Sequence, residues 1–495
     1  MKRHFNKISI SLLLSILFTA ESCKDFGDLN KSPNASESPV TSALLTGVQV
    51  YLGSGNSMNV NYAFDVRFLN EGAMYVQYTS QTQYPDESQY SVTARGWSQY
   101  FAGPLEDLHK IIQYNTDADK KNEPTVTSGG SNANQLAVAR ILKAYFFAQV
   151  TDLWGDVPYK EALSGMVTPK YDTQKDIYTD LLKELKEAIG QFDGGANVKG
   201  DILFEGDPAK WKRFANSLRM ILALRLSKRD GEIGNLGKTT FAETLASPAG
   251  LIDQNSENAI MPWPGGSYKN PWYQMYDGRT DYAISATMAD TLKKYADPRA
   301  SKYGEPHSGV VKGVPYGLTR ELLITWTAAN PDFSKIGPEI TAENAPDYII
   351  TAAQILLSRA EAASMGWTAE NAQTLYNEAI KASWEQWGVF EQTAYDNYIA
   401  DAKVSFAGGE VIRKIGTQKW IALYPSSWQG WAEWRRIGWP FIKPTPYAVN
   451  VSKKIPRRYG YPTNEITLNK ANYGEAAARI SGGDTHDGRV WWDKQ

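Results

Sequence analysis

Apolar residues recur at spacings of three and four along several stretches of this 495-residue chain, and that period constrains its fold more than any other feature. After Asp207 and Pro208, a favourable N-cap and first-turn pair, Trp211, Phe214, Ala215, Leu218, Ile221 and Leu222 line up on one face. A second helix is expected from about Leu136 to Leu153, with Leu142, Tyr145 and Phe146 on its stripe. Its partner carries Ile177, Tyr178, Leu181, Leu182, Leu185 and Ile189. A third pair runs through Ile349, Ala353, Leu356, Leu357 and Ala360. Past a turn at Gly366 it continues through Ala372, Tyr376, Ala379 and Ile380. The expected fold class is mainly α.

These pairs resemble tetratricopeptide hairpins. Ala372-x3-Tyr376-x2-Ala379-Ile380 alternates small and large residues in the way that lets a second helix nest on the first. The units do not repeat at a regular period of about 34 residues, and long insertions separate them. The expected architecture is an irregular tetratricopeptide-like helical scaffold with loop-rich insertions at 51–104, 191–205, 251–282 and 301–345. Those stretches are rich in Gly, Pro, Ser, Asn and aromatic residues. Long loops are functional or disordered, and the aromatic content argues against disorder, so a recognition face is expected there.

Composition narrows the function class. A hydrophobic share of 42% supports a sizeable core, and a formal charge of −2 gives no electrostatic footprint for nucleic acid. The chain holds 16 Trp and 28 Tyr but four His. Trp and Tyr join a flat apolar face to a polar handle, which suits cores, interfaces and sugar rings. Enzyme signatures are missing or broken. Gly234-x-x-Gly237-Lys238-Thr239 lacks the first glycine of a phosphate loop, because position 232 is Glu, and neither H-E-x-x-H nor G-x-S-x-G occurs. A single cysteine rules out Cys-rich zinc sites, and Asp484, Asp487 and Gly488 are too few for a calcium loop. No catalytic residue, metal or cofactor is expected. A glycosidase carboxylate pair has no sequence spacing, so a surface glycoside hydrolase stands as one alternative.

The one cysteine, Cys23, follows a processing pattern. Lys2, Arg3 and Lys7 form a basic region, and Ile8 to Ala20 form an apolar one too short to span a bilayer. The expected organisation is a lipoprotein signal peptide at 1–22, a lipidated tether at 23–40 and one domain at 41–495. Glu21, and Ala rather than Leu at position 20, depart from the usual lipobox. Lys24, Asp25 and Asp28 beyond the cysteine look like the surface-export signal of Bacteroidetes lipoproteins.

Asp25-Phe26-Gly27-Asp28-Leu29-Asn30 with Pro33-Asn34 is similar to the start of mature SusD-like proteins. Asp207-Pro208-x2-Trp211-x2-Phe214-Ala215-Asn216-Ser217-Leu218-Arg219 resembles their most recognisable helix, and Ala360-Glu361-Ala362-Ala363 a second. Trp431-x2-Trp434-Arg435-Arg436-x-Gly438-x-Pro440 is similar to the carboxy-terminal signature of the SusD/RagB group. So is Ile455-Pro456-Arg457-Arg458-x-Gly460-Tyr461-Pro462 with Glu465. The resemblance implies an outer-membrane lipoprotein, lipid-anchored and facing outward, that caps a SusC-like TonB-dependent transporter. It implies capture of oligosaccharides, with peptides as the alternative cargo of the RagB branch.

Sugar recognition needs an aromatic plane for the C–H face and planar polar groups for the hydroxyls. The loop Met261 to Tyr282 supplies both, with Trp263, Tyr268, Trp272, Tyr273 and Tyr276 beside Asn270, Asp277, Arg279 and Asp281. A second loop, Gln81 to Gly103, offers Tyr84, Tyr90, Arg95, Trp97 and Tyr100, and a third holds Trp326 with Tyr316 nearby. The expected ligand-binding residues are Trp97, Trp263, Tyr268, Trp272, Tyr276, Arg279 and Trp326. Trp428, Trp431 and Trp434 step by three ahead of Arg435-Arg436, which reads as a core helix with arginine stacking. As the sole thiol, Cys23 carries a direct test: Cys23→Ala should abolish lipid labelling and release the protein from the membrane fraction.

Overall fold

The apolar period is realised as helix in the computed structural model, which describes residues 39–52 and 66–494. Cys23 and the segment around it lie outside the described residues, as do residues 53–65 of the first insertion. The helices used below are α1 (Thr41–Gln49), α2 (Val66–Tyr75), α3 (Glu106–Thr116), α4 (Asn132–Trp154), α5 (Gln174–Gln191), α6 (Pro208–Arg225) and α7 (Leu236–Leu245). They continue with α8 (Pro271–Tyr276), α9 (Arg320–Ala329), α10 (Ala352–Ser364), α11 (Ala372–Gln386), α12 (Val411–Ala422) and α13 (Ser427–Ile437). Sequence neighbours pack as pairs: α3 on α4, α4 on α5, α5 on α6, α6 on α7, and α10 on α11. The fold is mainly α.

Local chemistry sets the helix starts. Asp207 Oδ1 accepts hydrogen bonds from the amides of Ala209 (2.8 Å) and Lys210 (3.3 Å), and Pro208 occupies the first turn of α6. Trp211 and Phe214 then turn inward against Phe204, and the Trp211 indole donates to Asp201 at 2.7 Å. Ser131 caps α4 and Thr173 caps α5 in the same way. One boundary departs from the expected stripe. Ile349 belongs to a strand, Asp347–Ile350, paired antiparallel with Ala259–Met261, and α10 starts only after the Thr351 cap. Tyr348, Ile349 and Ile350 are aromatic or β-branched, and that preference prevails over helical spacing.

Two further two-stranded pairs, Thr79–Gln81 with Tyr282–Ile284 and Val157–Pro158 with Tyr171–Asp172, tie inserted segments together. Among the described residues no helix is long and apolar enough to cross a membrane.

The carboxy-terminal Trp stripe is core. Trp431 is fully buried on α13, and the Arg435 guanidinium lies 4.1 Å from its ring centroid and 4.8 Å from that of Trp492. Below this stack runs a buried charge network. Asp152 of α4 pairs with Arg225 of α6. Arg225 also reaches Glu433 of α13 at 2.9 Å. Lys419 of α12 lies 2.8 Å from Glu361 of α10 and 2.9 Å from Glu433. Arg436 closes the ring onto Glu361 (2.5 Å) and Glu433 (2.6 Å). Asp152 is saturated, since Tyr178 and the indoles of Trp428 (2.9 Å) and Trp492 (2.8 Å) also donate to it.

Burial pushes the Glu433 carboxyl up, but Arg436, Lys419 and Arg225 outweigh that and hold it well below the ordinary value of 4.5. Burial opposes Arg436 and Lys419 in the same way at Glu361, which is also lowered. A carboxyl depressed in the folded state adds stability above its unfolded pKa and loses it as pH falls through the folded one. The melting temperature should therefore drop as pH is lowered from about 5 towards 3. Glu433→Gln should cost about 3–5 kcal/mol at neutral pH and flatten that acid dependence, both read by calorimetry against pH.

Candidate functional site

Strand pairing assembles one loop face. Thr79, Ser80 and Gln81 lie opposite Ile284, Ala283 and Tyr282, and the Thr82 amide donates to the Asp281 carbonyl at 2.7 Å. This sets the Gln81–Gly103 insertion against the end of the Met261–Tyr282 loop. The third insertion joins through backbone bonds between Val314 and Ile284 (2.9 Å) and between Ala286 and Val314 (2.8 Å). Gln89 Nε2 donates to the Leu318 carbonyl at 2.7 Å, and Thr445 Oγ1 to that of Gly317 at 2.7 Å. Segments far apart in sequence thus converge around residues 79–90, 277–286 and 310–333.

On this face Arg279 makes three contacts. Its Nη2 donates to the Tyr84 hydroxyl at 2.9 Å and lies 2.6 Å from Asp281, and its guanidinium sits 5.6 Å from the Tyr84 ring centroid. Side-chain bonds to Asp281, then to Tyr84, raise the Arg279 pKa, so the group is a permanent cation. Tyr84 remains 43% exposed. An aromatic plane, a forked donor and a carboxylate acceptor are therefore presented together. Nearby, α9 starts at the Thr319 cap and tucks Leu323 against Ala283 and Val314. Leu322 and Ile324 stay exposed, and Trp326 is half-buried 6.3 Å from Phe333.

The other expected ligand residues divide. Tyr268 stands out, 46% exposed. Tyr276 is half-buried, its hydroxyl donating to the Tyr282 carbonyl at 2.5 Å, and burial pushes its pKa up. Trp97, Trp263 and Trp272, expected to bind ligand, turn inward and are 7%, 4% and 2% exposed. Trp97 packs into the core against Trp154 (5.8 Å) and Tyr461 (5.7 Å). The Met261–Tyr282 loop folds back on the scaffold because Glu343 accepts from the Gly266 amide (2.8 Å) and Asn270 donates to the Ala345 carbonyl (2.8 Å). Asn270 also caps α8, accepting from the Trp272 amide at 2.7 Å and turning that indole inward. Trp272 roofs a cavity of about 30 Å³ shared with Gln354, Trp387 and Tyr424, room for one or two water molecules. Gln354 Nε2 and Trp387 Nε1, both buried, have no hydrogen-bond partner.

Tyr84 belongs to this candidate site, and sequence reasoning noticed it but did not select it; the Pro85-Asp86-Glu87 segment beside it was the available signal. The broken phosphate loop has a structural use. Gly234 and Asn235 adopt left-handed conformations ahead of α7, and Asp230 accepts from the Gly237 (2.7 Å) and Lys238 (3.3 Å) amides. A side-chain carboxylate already fills the anion position. Among the described residues no group of three or more His, Cys, Asp or Glu is placed to hold a metal ion.

A scaffold of packed helix pairs bearing a face built from inserted loops is the class of fold defined here. The family model for SusD-like proteins, described as starch-binding and associating with the outer membrane, matches residues 33–462, and the chain belongs to that family. A solved structure of a chitin-binding protein is 28% identical, covers 92% of this chain and 100% of that one, and superimposes with a TM-score of 0.75. A chitin-binding SusD homologue from Flavobacterium johnsoniae is 23% identical, covers 92% and 99%, and gives 0.76. A SusD homologue from Bacteroides fragilis is 22% identical, covers 92% and 100%, and gives 0.78. No curated protein matches the chain.

Burial separates the two kinds of aromatic residue experimentally. Trp272→Ala should open a core cavity, cost about 3–5 kcal/mol and lower the melting temperature. Tyr84→Ala should leave the melting temperature nearly unchanged.

Proposed function

We propose that the protein is a surface-exposed, lipid-anchored capture protein that binds oligosaccharides and delivers them to a SusC-like TonB-dependent outer-membrane transporter, without chemistry of its own. The observation that carries this reading is the Tyr84–Arg279–Asp281 group, with Tyr84 and Arg279 exposed, at the meeting point of the inserted loops. Tyr84 offers a ring to the apolar side of a pyranose, and Arg279 and Asp281 offer directional donors and acceptors for hydroxyls. Leu322 and Trp326, one turn apart on α9, add apolar surface on the third insertion. The family description as starch-binding and outer-membrane-associated supports the reading, as does the chitin-binding protein among the similar structures.

Calorimetric titration with oligomers of N-acetylglucosamine and of glucose tests it. One of the two should bind, and Tyr84→Ala and Arg279→Ala should weaken that binding by roughly ten- to a hundredfold, as loss of one stacking contact does. No new reducing ends should form, and a mild-detergent extract should contain this chain together with a large β-barrel protein. Binding of peptides alone would replace the cargo, and release of reducing ends would replace the whole reading with a hydrolase.

A further inference from the structure

A second cavity, of about 500 Å³, is built from different elements: Gly155-Asp156 after α4, Arg229 after α6, and the segment Arg479 to Lys494. Its lining includes four cations, Arg229, Arg479, Arg489 and Lys494, together with Trp491. Cations outnumber carboxylates in a specific way. Asp493, whose side chain is wholly buried, pairs with Arg457 at 2.5 Å and with Arg489 at 3.0 Å. Glu232 pairs with Arg229 at 3.0 Å and with Lys494 at 2.6 Å. In each cell two cations share one carboxylate.

The remaining acids of the lining are already engaged. Asp156 accepts from Arg479 (2.5 Å) and from the Gln174 amide (2.8 Å). Asp487 accepts from Asn450 (2.8 Å) and Ser452 (2.6 Å). Burial lowers the Arg489 pKa and neighbouring Arg457 adds to the effect, with Asp493 opposing both. Lys228, beside the same cluster, is lowered by burial, with Asp493 opposing and Arg457, Arg436 and Arg489 adding smaller effects. Cations that destabilise one another in a partly desolvated cleft are relieved by an anion, and arginine's fork matches an oxyanion through paired N–H bonds. Trp491 adds a flat apolar wall with the Arg229 guanidinium 5.6 Å from its ring centroid. The volume falls within the range of about 300–1,000 Å³ typical of small-molecule sites, more than a bare ion needs.

We propose that this cleft binds a sugar carrying a phosphate ester, with Arg489 and Lys494 holding the phosphate and Trp491 flanking the ring. The site is separate from the oligosaccharide face and does not rest on that reading. The ligand chemistry has two sources, a soluble sugar phosphate and a phosphorylated sugar of an outer-membrane glycolipid. Titration of the full chain with glucose 6-phosphate, glucose and inorganic phosphate, and sedimentation with vesicles carrying phosphorylated or dephosphorylated glycolipid, tests both.

Glucose 6-phosphate should bind more tightly than inorganic phosphate, glucose should not bind, and affinity should fall as salt rises. Arg489→Ala and Lys494→Ala should each weaken binding at least tenfold, and Arg489→Lys should restore part of the loss. Vesicle binding that requires the lipid phosphate, and is lost in the same variants, assigns the lipid-linked source. Because Lys494 is exposed, its variant carries the test if Arg489→Ala lowers the melting temperature. Both variants should bind uncharged oligosaccharides as the parent does. Failure of glucose 6-phosphate and of both vesicle types to bind, or equal binding by folded Lys494→Ala, overturns the proposal.

Discussion

The ring of buried charges linking Asp152, Arg225, Glu433, Lys419, Arg436 and Glu361 is the constraint on which the rest of the structure depends. Taking each of these charges out of water costs several kcal/mol, and only close pairing with every partner in place offsets it. The six residues come from α4, α6, α10, α12 and α13, so all five helices must arrive in one register for the network to close. A slip of α13 by one residue would direct Glu433 and Arg436 away from their partners and leave uncompensated charge in the core. Apolar packing holds these helices together but tolerates small shifts, whereas the network specifies one arrangement.

That rigidity bears on how the loops are held. The insertions contribute little regular structure of their own, and short strand pairs and side-chain bonds at their edges fix them. With both ends set by a scaffold of defined geometry, a loop needs few contacts to present its tip consistently. Tyr84, Arg279 and Asp281 are held in this way, through the pairing of Gln81 with Tyr282 and the backbone bond from Thr82 to Asp281. A preorganised polar group forfeits less conformational entropy on binding than a mobile one, which suits recognition of a flexible ligand.

The scaffold was legible in the sequence because helical burial has a period. The stripes of α4, α5, α6 and α11, and the Asp207-Pro208 start of α6, were readable from spacing and cap chemistry. Ile349 was misplaced because its spacing suited a helix while the strand that pairs with its own, Ala259–Met261, lay far away in sequence. The charge network was invisible for the same reason: Asp152 and Glu433 look like ordinary helix-surface acids until their helices meet. At the site, residue types could be read but orientation could not. Trp272 and Tyr268 sit in one Gly- and Pro-punctuated loop, and one is core while the other is exposed. Glu343 and Ala345, bonded to that loop from a distant segment, decide which way it folds. The Tyr84–Arg279 contact likewise joins two insertions and leaves no local pattern.

The core ring and the cleft cluster obey different rules, and the difference bears on what each can do. In the core ring three carboxylates face Arg225, Lys419 and Arg436, and Asp152 has four donors, so the charges are matched within the ring. Arg435, the extra cation beside it, is held by the carbonyls of Asp152 and Arg457, and burial lowers its pKa to about 10. In the cleft near Trp491, Asp493 and Glu232 are each shared by two cations, and several of those cations keep contact with solvent. In a closed core a cation beyond the paired set is sustained by close carbonyl acceptors, as Arg435 is, whereas at an open cleft partial hydration sustains it. Sealed charges with every partner on the protein specify a fold, and cations that share a carboxylate at an opening are the ones a further anion can reach.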